Sequence, residues 1–178
     1  MMIETNRLLI RPMTNEDALH LFELNSDPEV VRYTGDTVTH NFADAQRILT
    51  DLVYNQFNLY KMGRFTVLLK DGTYLGWCGL KYFPETKEVD LGYRFMRKFW
   101  GHGYATEASK AILKYGFEEL KLHRILARAM PANLPSIKVL QKLGMTYRGV
   151  ANDPHYASGF VLYDITAEEF KNAKINQL

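Results

Sequence analysis

Trp100-Gly101-His102-Gly103-Tyr104-Ala105-Thr106-Glu107-Ala108 joins an apolar strand pattern that begins at Glu88 to a helix pattern that ends at Leu120. Two glycines set one residue apart let the backbone turn sharply and keep side chains away from its N–H groups. Ala105, Ala108, Ala111, Ile112, Tyr115 and Leu120 then recur at mostly helical spacing. The unpaired N–H groups and the positive dipole end of that helix point into the turn, which suits a phosphate or pyrophosphate. A tight strand-to-helix connection whose glycines serve only packing is the other reading of the same residues.

Outward from this turn the chain reads as one domain over residues 1–178, a length that buries a real core. A hydrophobic share of 47% and a charged share of 24% are ordinary for a globular protein. The formal charge of +2 is too mild for a nucleic-acid binder, which needs a clustered basic face. Cys78 is the only cysteine, so an intrachain disulfide is excluded, and its apolar neighbours point to a buried, inert thiol. Met1-Met2-Ile3-Glu4-Thr5 runs straight into a strand without the pattern of a signal peptide, and no run approaches membrane-spanning length. The reading is cytoplasmic.

In chain order, Leu8 to Ile10 make a strand, and Thr14-x-x-Asp17 caps a helix carrying Ala18, Leu21, Phe22 and Leu24. Asp27-Pro28 opens a short helical turn. A longer helix is expected from Asn41 to Tyr60, with Phe42, Ala45, Ile48, Leu49, Leu52 and Phe57 inward and Gly63 as its stop. Three strands follow as an antiparallel meander: Phe65 to Leu69, Tyr74 to Phe83 and Val89 to Met96, with turns at Asp71-Gly72 and Pro84 to Lys87. After the helix behind the turn, Arg124 to Ala129 must lie parallel to the preceding strand, because a helical crossover joins them. A helix ending at Leu143-Gly144, strands Met145 to Val150 and Phe160 to Ile165, and a capped turn at Thr166-x-x-Glu169 complete the chain.

Val89-Asp90-Leu91-Gly92-Tyr93 with the Trp100 to Ala108 turn resembles motif A of the GNAT superfamily, most closely the ribosomal-protein N-terminal acetyltransferase branch. Met130-Pro131-Ala132-Asn133-Leu134-Pro135-Ser136-Ile137 and Lys142-Leu143-Gly144-Met145 resemble its second motif, with Met145 where phenylalanine is usual. The resemblance covers nearly the whole chain. It implies an α/β GNAT fold: a mixed, mostly antiparallel sheet with two central parallel strands that splay apart, and helices on both faces. It further implies an N-acetyltransferase that moves the acetyl group of acetyl-CoA to a primary amine by direct attack, without a metal, as a monomer or homodimer.

By motif position, the resemblance assigns the coenzyme's phosphates to Gly101, His102, Gly103, Tyr104, Ala105 and Thr106. Trp100 stands where the Gln/Arg-x-x-Gly-x-Gly/Ala signature begins, and Gly103 and Ala105 keep its small positions. Tyr93 and Phe95 are assigned to the pantetheine as strand-like backbone partners, and Asn133 as a side-chain one. The tyrosine that protonates the departing thiolate in many relatives falls at Leu140, and Ser136, one turn earlier, is the substitute. On the residues alone, Asn133 and Ser136 read as helix-entry caps.

The base position of some relatives falls at Val89, which leaves two routes for deprotonating the amine: Asp90, or water held by backbone carbonyls. Asp90 also reads as an ordinary solvated strand charge. The acceptor pocket is expected from Tyr33, Trp77, Tyr82, His155 and Tyr156, with protein N-termini and small amines both open. The five histidines lack paired-ligand spacing, so no metal site is expected. A different class stays open as well: Leu140 and Val89 also fit a GNAT domain that binds coenzyme A without turnover, as a sensor or interaction module.

Overall fold

The computed structural model describes residues 2–153 and 156–173, and within them every side chain except those of 51–53, 152, 153 and 156–158. Its strands are β1 (Ile3–Glu4), β2 (Leu8–Pro12), β3 (Arg64–Leu69), β4 (Tyr74–Phe83), β5 (Glu88–Phe95), β6 (Arg124–Ala129), β7 (Thr146–Asp153) and β8 (Tyr156–Thr166). They form an eight-stranded sheet in the order β1-β2-β3-β4-β5-β6-β8-β7. Every neighbouring pair is antiparallel except β5 and β6. These two are joined through α5 (Tyr104–Lys114), the crossover that a parallel pair requires.

Strand alternation sorts the side chains into two layers. Cys78, Leu80, Val89, Leu91, Phe95, Ile125 and Ala127 bury one face beneath Ala108, Ile112 and Leu113 of α5 and Leu140 of α6 (Leu134–Lys142). On the opposite face Trp77 packs with Ala18, Leu21 and Leu24 of α1 (Ala18–Ser26), Val30 of α2 (Pro28–Val31) and Leu49. Helices therefore cover both faces, as the resemblance implies. A closing helix, α7 (Ala167–Asn172), begins at the expected capping box, where the Glu169 carboxylate accepts the Thr166 N–H at 2.7 Å.

The long second helical segment departs from expectation. It runs as α3 (Phe42–Ile48), a π-helical stretch (Leu49–Tyr54) and α4 (Asn55–Tyr60). It stops at Lys61, which adopts a left-handed φ of 56°, and not at Gly63. That conformation costs a non-glycine residue ~1–2 kcal/mol, and the Tyr115 hydroxyl helps fix it by donating to the Lys61 carbonyl at 2.8 Å. Gly63 is already bonded to the sheet, its carbonyl accepting the Leu80 N–H at 3.1 Å. Phe42, expected inward, is 41% exposed and meets only the edge of the layer through Phe22.

Candidate active site

A 3-10 turn (Arg97–Phe99) leads from β5 into the glycine turn. Gly101 and Gly103 take φ of 80° and 81°, the left-handed region that an added Cβ disfavours, and Gly103 is the N-cap of α5. No side chain caps this helix, so the N–H groups of Tyr104, Ala105 and Thr106 face the turn without an intrahelical partner. His102, expected at the phosphates, folds back: its Nδ1 lies 2.9 Å from the Trp100 carbonyl and its ring stacks on Tyr104.

Arg7, which the sequence did not bring forward, locks this turn from the loop between β1 and β2. Its Nε donates to Glu107 at 2.6 Å, its Nη1 donates to the His102 carbonyl at 3.0 Å, and its guanidinium lies over the Tyr104 ring. Burial raises the Glu107 carboxyl, but hydrogen bonds from Thr5 and Arg7 outweigh it and hold the group below the usual carboxylate range. A groove of about 1000 Å³ opens at Gly103 and Thr106 and runs along α5 past Lys110 and Lys114.

The parallel pair meets in register at Asp90 and Leu126, whereas β4 and β5 pair from Phe83 with Glu88 through to Gly76 with Phe95. Past Asp90, then, β5 stays bonded on one side only. The Met96 N–H donates to Leu75 of β4 at 2.9 Å; by alternation the N–H and C=O of Tyr93 and Phe95 face the opposite way, toward β6. The Phe95 carbonyl is taken by the Trp100 indole at 2.8 Å, which also anchors the start of the glycine turn. Of the two expected backbone partners, Phe95 therefore keeps its N–H alone for a ligand, while Tyr93 faces the opening with both groups.

The Tyr93 side chain crosses to α6, where its hydroxyl lies 2.8 Å from Ser136 Oγ and 3.2 Å from the Ser136 carbonyl. Burial pushes its phenol well above the usual range despite the Ser136 hydrogen bond, so Tyr93 stays protonated. Asn133 caps α6, its Oδ1 accepting the Ser136 N–H at 3.3 Å. The Ser136 hydroxyl is not part of that cap; it belongs to Tyr93. Leu140 is fully buried in the core.

On the other face Asp90 and Glu88 share one guanidinium: Arg128 Nη1 donates to Asp90 at 2.7 Å and Nη2 to Glu88 at 2.6 Å. Asp90 is therefore no free strand charge. Burial pushes its carboxyl up to about 6 against the pull of Arg128, Arg64 and Lys81. Trp77 lies on this face beneath Arg64 and Arg94. Tyr82 does not join it: five residues separate the two on β4, an odd number, so Tyr82 packs with Tyr60 on the opposite side. Tyr33 stacks under Arg32, outside the pocket around Trp77. His155 lies outside the described residues, and Tyr156 is described only as the first residue of β8.

Burial pushes the Cys78 thiol up to about 12, which leaves no useful thiolate at neutral pH. No grouping of three or more His, Cys, Asp or Glu side chains suited to a metal occurs among the described residues. No described helix is long and apolar enough to cross a membrane.

The family model of the acetyltransferase (GNAT) domain matches residues 7–146, from Arg7 beside the glycine turn to the first residue of β7. The chain belongs to the GNAT acetyltransferase family. By class this GNAT protein is an acyltransferase. It is 35% identical over 158 residues to the uncharacterized N-acetyltransferase p20 of Bacillus licheniformis, covering 87% of this chain and 88% of the relative. The crystal structure of a GNAT-family acetyltransferase from Bacillus anthracis superposes with a TM-score of 0.80 at 33% identity, covering 94% of this chain and 99% of that one. Spermidine N-acetyltransferase from Vibrio cholerae, solved with CoA and spermine, reaches the same TM-score of 0.80 at 17% identity, covering 94% and 100% of the two chains. At that identity it shares the fold.

Proposed function

We propose that this GNAT protein transfers the acetyl group of acetyl-CoA to a primary amine, in one ternary complex and without an acyl-enzyme. The observation that carries the proposal is the uncapped N-terminus of α5 at the mouth of the β5/β6 opening. Three free N–H groups and a helix dipole suit a pyrophosphate, and the unpaired edge of β5 suits the amide-bearing pantetheine arm as an extra strand. The Tyr93 N–H polarises the thioester carbonyl and stabilises the oxyanion formed when the amine attacks. Gly101 to Thr106 hold the phosphates through the backbone, and Arg7 fixes the turn by donating to the His102 carbonyl.

Asp90 takes the proton that the amine sheds, directly or through one water, and its pKa near 6 suits that task at neutral pH. Ser136 donates a hydrogen bond to the sulfur as the thiolate leaves. Tyr93 holds that serine in place: its phenol donates to the Ser136 carbonyl at 3.2 Å and lies 2.8 Å from Ser136 Oγ. The domain that binds coenzyme A without turnover is the weaker reading, because these hydroxyls answer the loss of tyrosine at Leu140 and Asp90 answers Val89.

Tyr93→Phe is expected to lower kcat roughly fivefold, the worth of one ~1 kcal/mol hydrogen bond, with the KM for acetyl-CoA unchanged. In a Ser136→Ala background the same change is expected to add nothing, since both act through one hydroxyl. Full, independent losses in the double mutant, read in steady-state kinetics, would separate the two residues. The function itself is tested by free-thiol release from acetyl-CoA with protein N-terminal peptides and small primary amines. Amine-dependent release with a matching acetylated product is expected, and coenzyme binding without any amine-dependent release contradicts the proposal.

A further inference from the structure

The even-numbered side chains of β5 continue past Asp90 and Gly92 to Arg94, which helps wall a pocket of about 270 Å³ between α1, α3 and the sheet. Asp36, Asp44, Arg47, Arg64 and Trp77 line it as well. Only 9% of the Arg94 side chain is exposed, and its fork is held by Asn25 through Nη1 and by Asp36 through Nη2. Asp44 pairs with Arg47 at 3.1 Å. Both described carboxylates of the lining are thus already ion-paired, Asp36 with Arg94 and Asp44 with Arg47. The buried Arg94 Nε–H makes no hydrogen bond within the protein, and an unsatisfied buried donor of this kind is what a ligand oxygen satisfies.

We infer that this pocket receives a carboxylate carried by the acceptor, so that the acceptor is an amino-acid-like amine and not a polyamine. The inference rests on the acetyltransferase reading and narrows its substrate class. A polyamine brings two or more ammonium groups, and among the described residues the pocket offers them no carboxylate that is not already ion-paired. The Trp77 face, the other natural partner for an ammonium, already lies beneath guanidiniums whose centres are 4.1 Å and 5.5 Å from the ring. An acceptor carboxylate meets the opposite situation, because the Arg94 Nε–H is a buried donor that an oxyanion can satisfy. Arg94 directly follows Tyr93, so the pocket wall and the edge facing the β5/β6 opening are neighbours on one strand.

The test compares amines matched in pairs: L-methionine with 3-(methylthio)propylamine, L-phenylalanine with 2-phenylethylamine, L-leucine with isoamylamine. Spermidine and alaninamide are added to stand for a polyamine and for a neutral carbonyl. Thiol release gives kcat/KM, and calorimetry on the free and on the coenzyme A-saturated protein gives binding whether or not turnover occurs. At least one amino acid is expected to exceed its decarboxylated partner tenfold or more. Asp36→Asn is expected to strengthen that preference severalfold by releasing Arg94, and Arg94→Lys to reduce it at least tenfold. Equal behaviour within every pair, a preference for spermidine or alaninamide, or no response to Asp36→Asn in the folded protein overturns the inference. Loss of coenzyme A binding would instead contradict the acetyltransferase reading, while calorimetry on the free protein still decides the pocket.

Discussion

Gly103→Val is expected to abolish the rise in Tm that coenzyme A gives the wild-type protein. Saturating the site a hundredfold above Kd adds ~2.7 kcal/mol, which for a domain of this size is about 5–10 °C. Gly103 sits at φ 81° immediately before the free N–H groups of α5. A β-branched residue resists that conformation, and its Cβ would stand 3.5 Å from Arg7 Nη2, in the space where the turn must admit a phosphate. The variant therefore alters both the shape of the cradle and its access. A Gly103→Val protein with native circular dichroism and an undiminished shift would remove the phosphates from this turn.

Asp90→Asn is expected to cut kcat/KM about a hundredfold or more near neutral pH, the usual size of a general-base contribution. The sign of the pH dependence follows from the raised pKa. Wild-type kcat/KM should fall as pH drops through about 6, where Asp90 takes up its proton, and the variant should lack that inflection. Its deficit should shrink as pH rises, because an amine that is already free needs no base. The variant is expected to fold: a carboxyl whose folded pKa lies above its ordinary 3.8 favours the fold while protonated, and that contribution is lost as pH rises through about 6. Asparagine can still accept from Arg128. Wild-type rates across this range would exclude Asp90 and leave the water route.

The parts of this site that could be read in advance are those with a local signal. The glycine turn, the helix behind it, the parallel crossover and the Asn133 cap each depend on residues within a few positions of one another, so spacing reveals them. Arg7 and Glu107 lie one hundred positions apart, and only the folded sheet brings β2 beside α5. Glu107 lies within the glycine-turn stretch itself, yet nothing local names the cation it holds. The Tyr93 and Ser136 pair is hidden for the same reason: Tyr93 drew notice for its backbone and Ser136 for helix entry, while the contact between their hydroxyls spans 43 positions.

Other departures were open to simple physical reasoning. Trp77 and Tyr82 are both expected at the acceptor pocket, but an odd separation on a strand sends them to opposite faces. The helix stop at Lys61 was less accessible, because the Tyr115 hydroxyl that supports its left-handed backbone comes from a helix much later in the chain. Asp90 is the intermediate case. Its place on the strand was plain, but its raised pKa depends on burial and on Arg128 of β6, which no local pattern reveals.

The central claim is that one ligand, acetyl-CoA, occupies both the uncapped start of α5 and the opening between β5 and β6. A crystal structure of the protein with coenzyme A tests it most directly. The expected result is pyrophosphate oxygens within hydrogen-bond distance of the N–H groups of Tyr104, Ala105 and Thr106, and the pantetheine arm bonded along β5 at Tyr93 with its sulfur beside Ser136. A coenzyme lying elsewhere, for example wholly in the groove along α5 with the β5 edge untouched, would contradict the account.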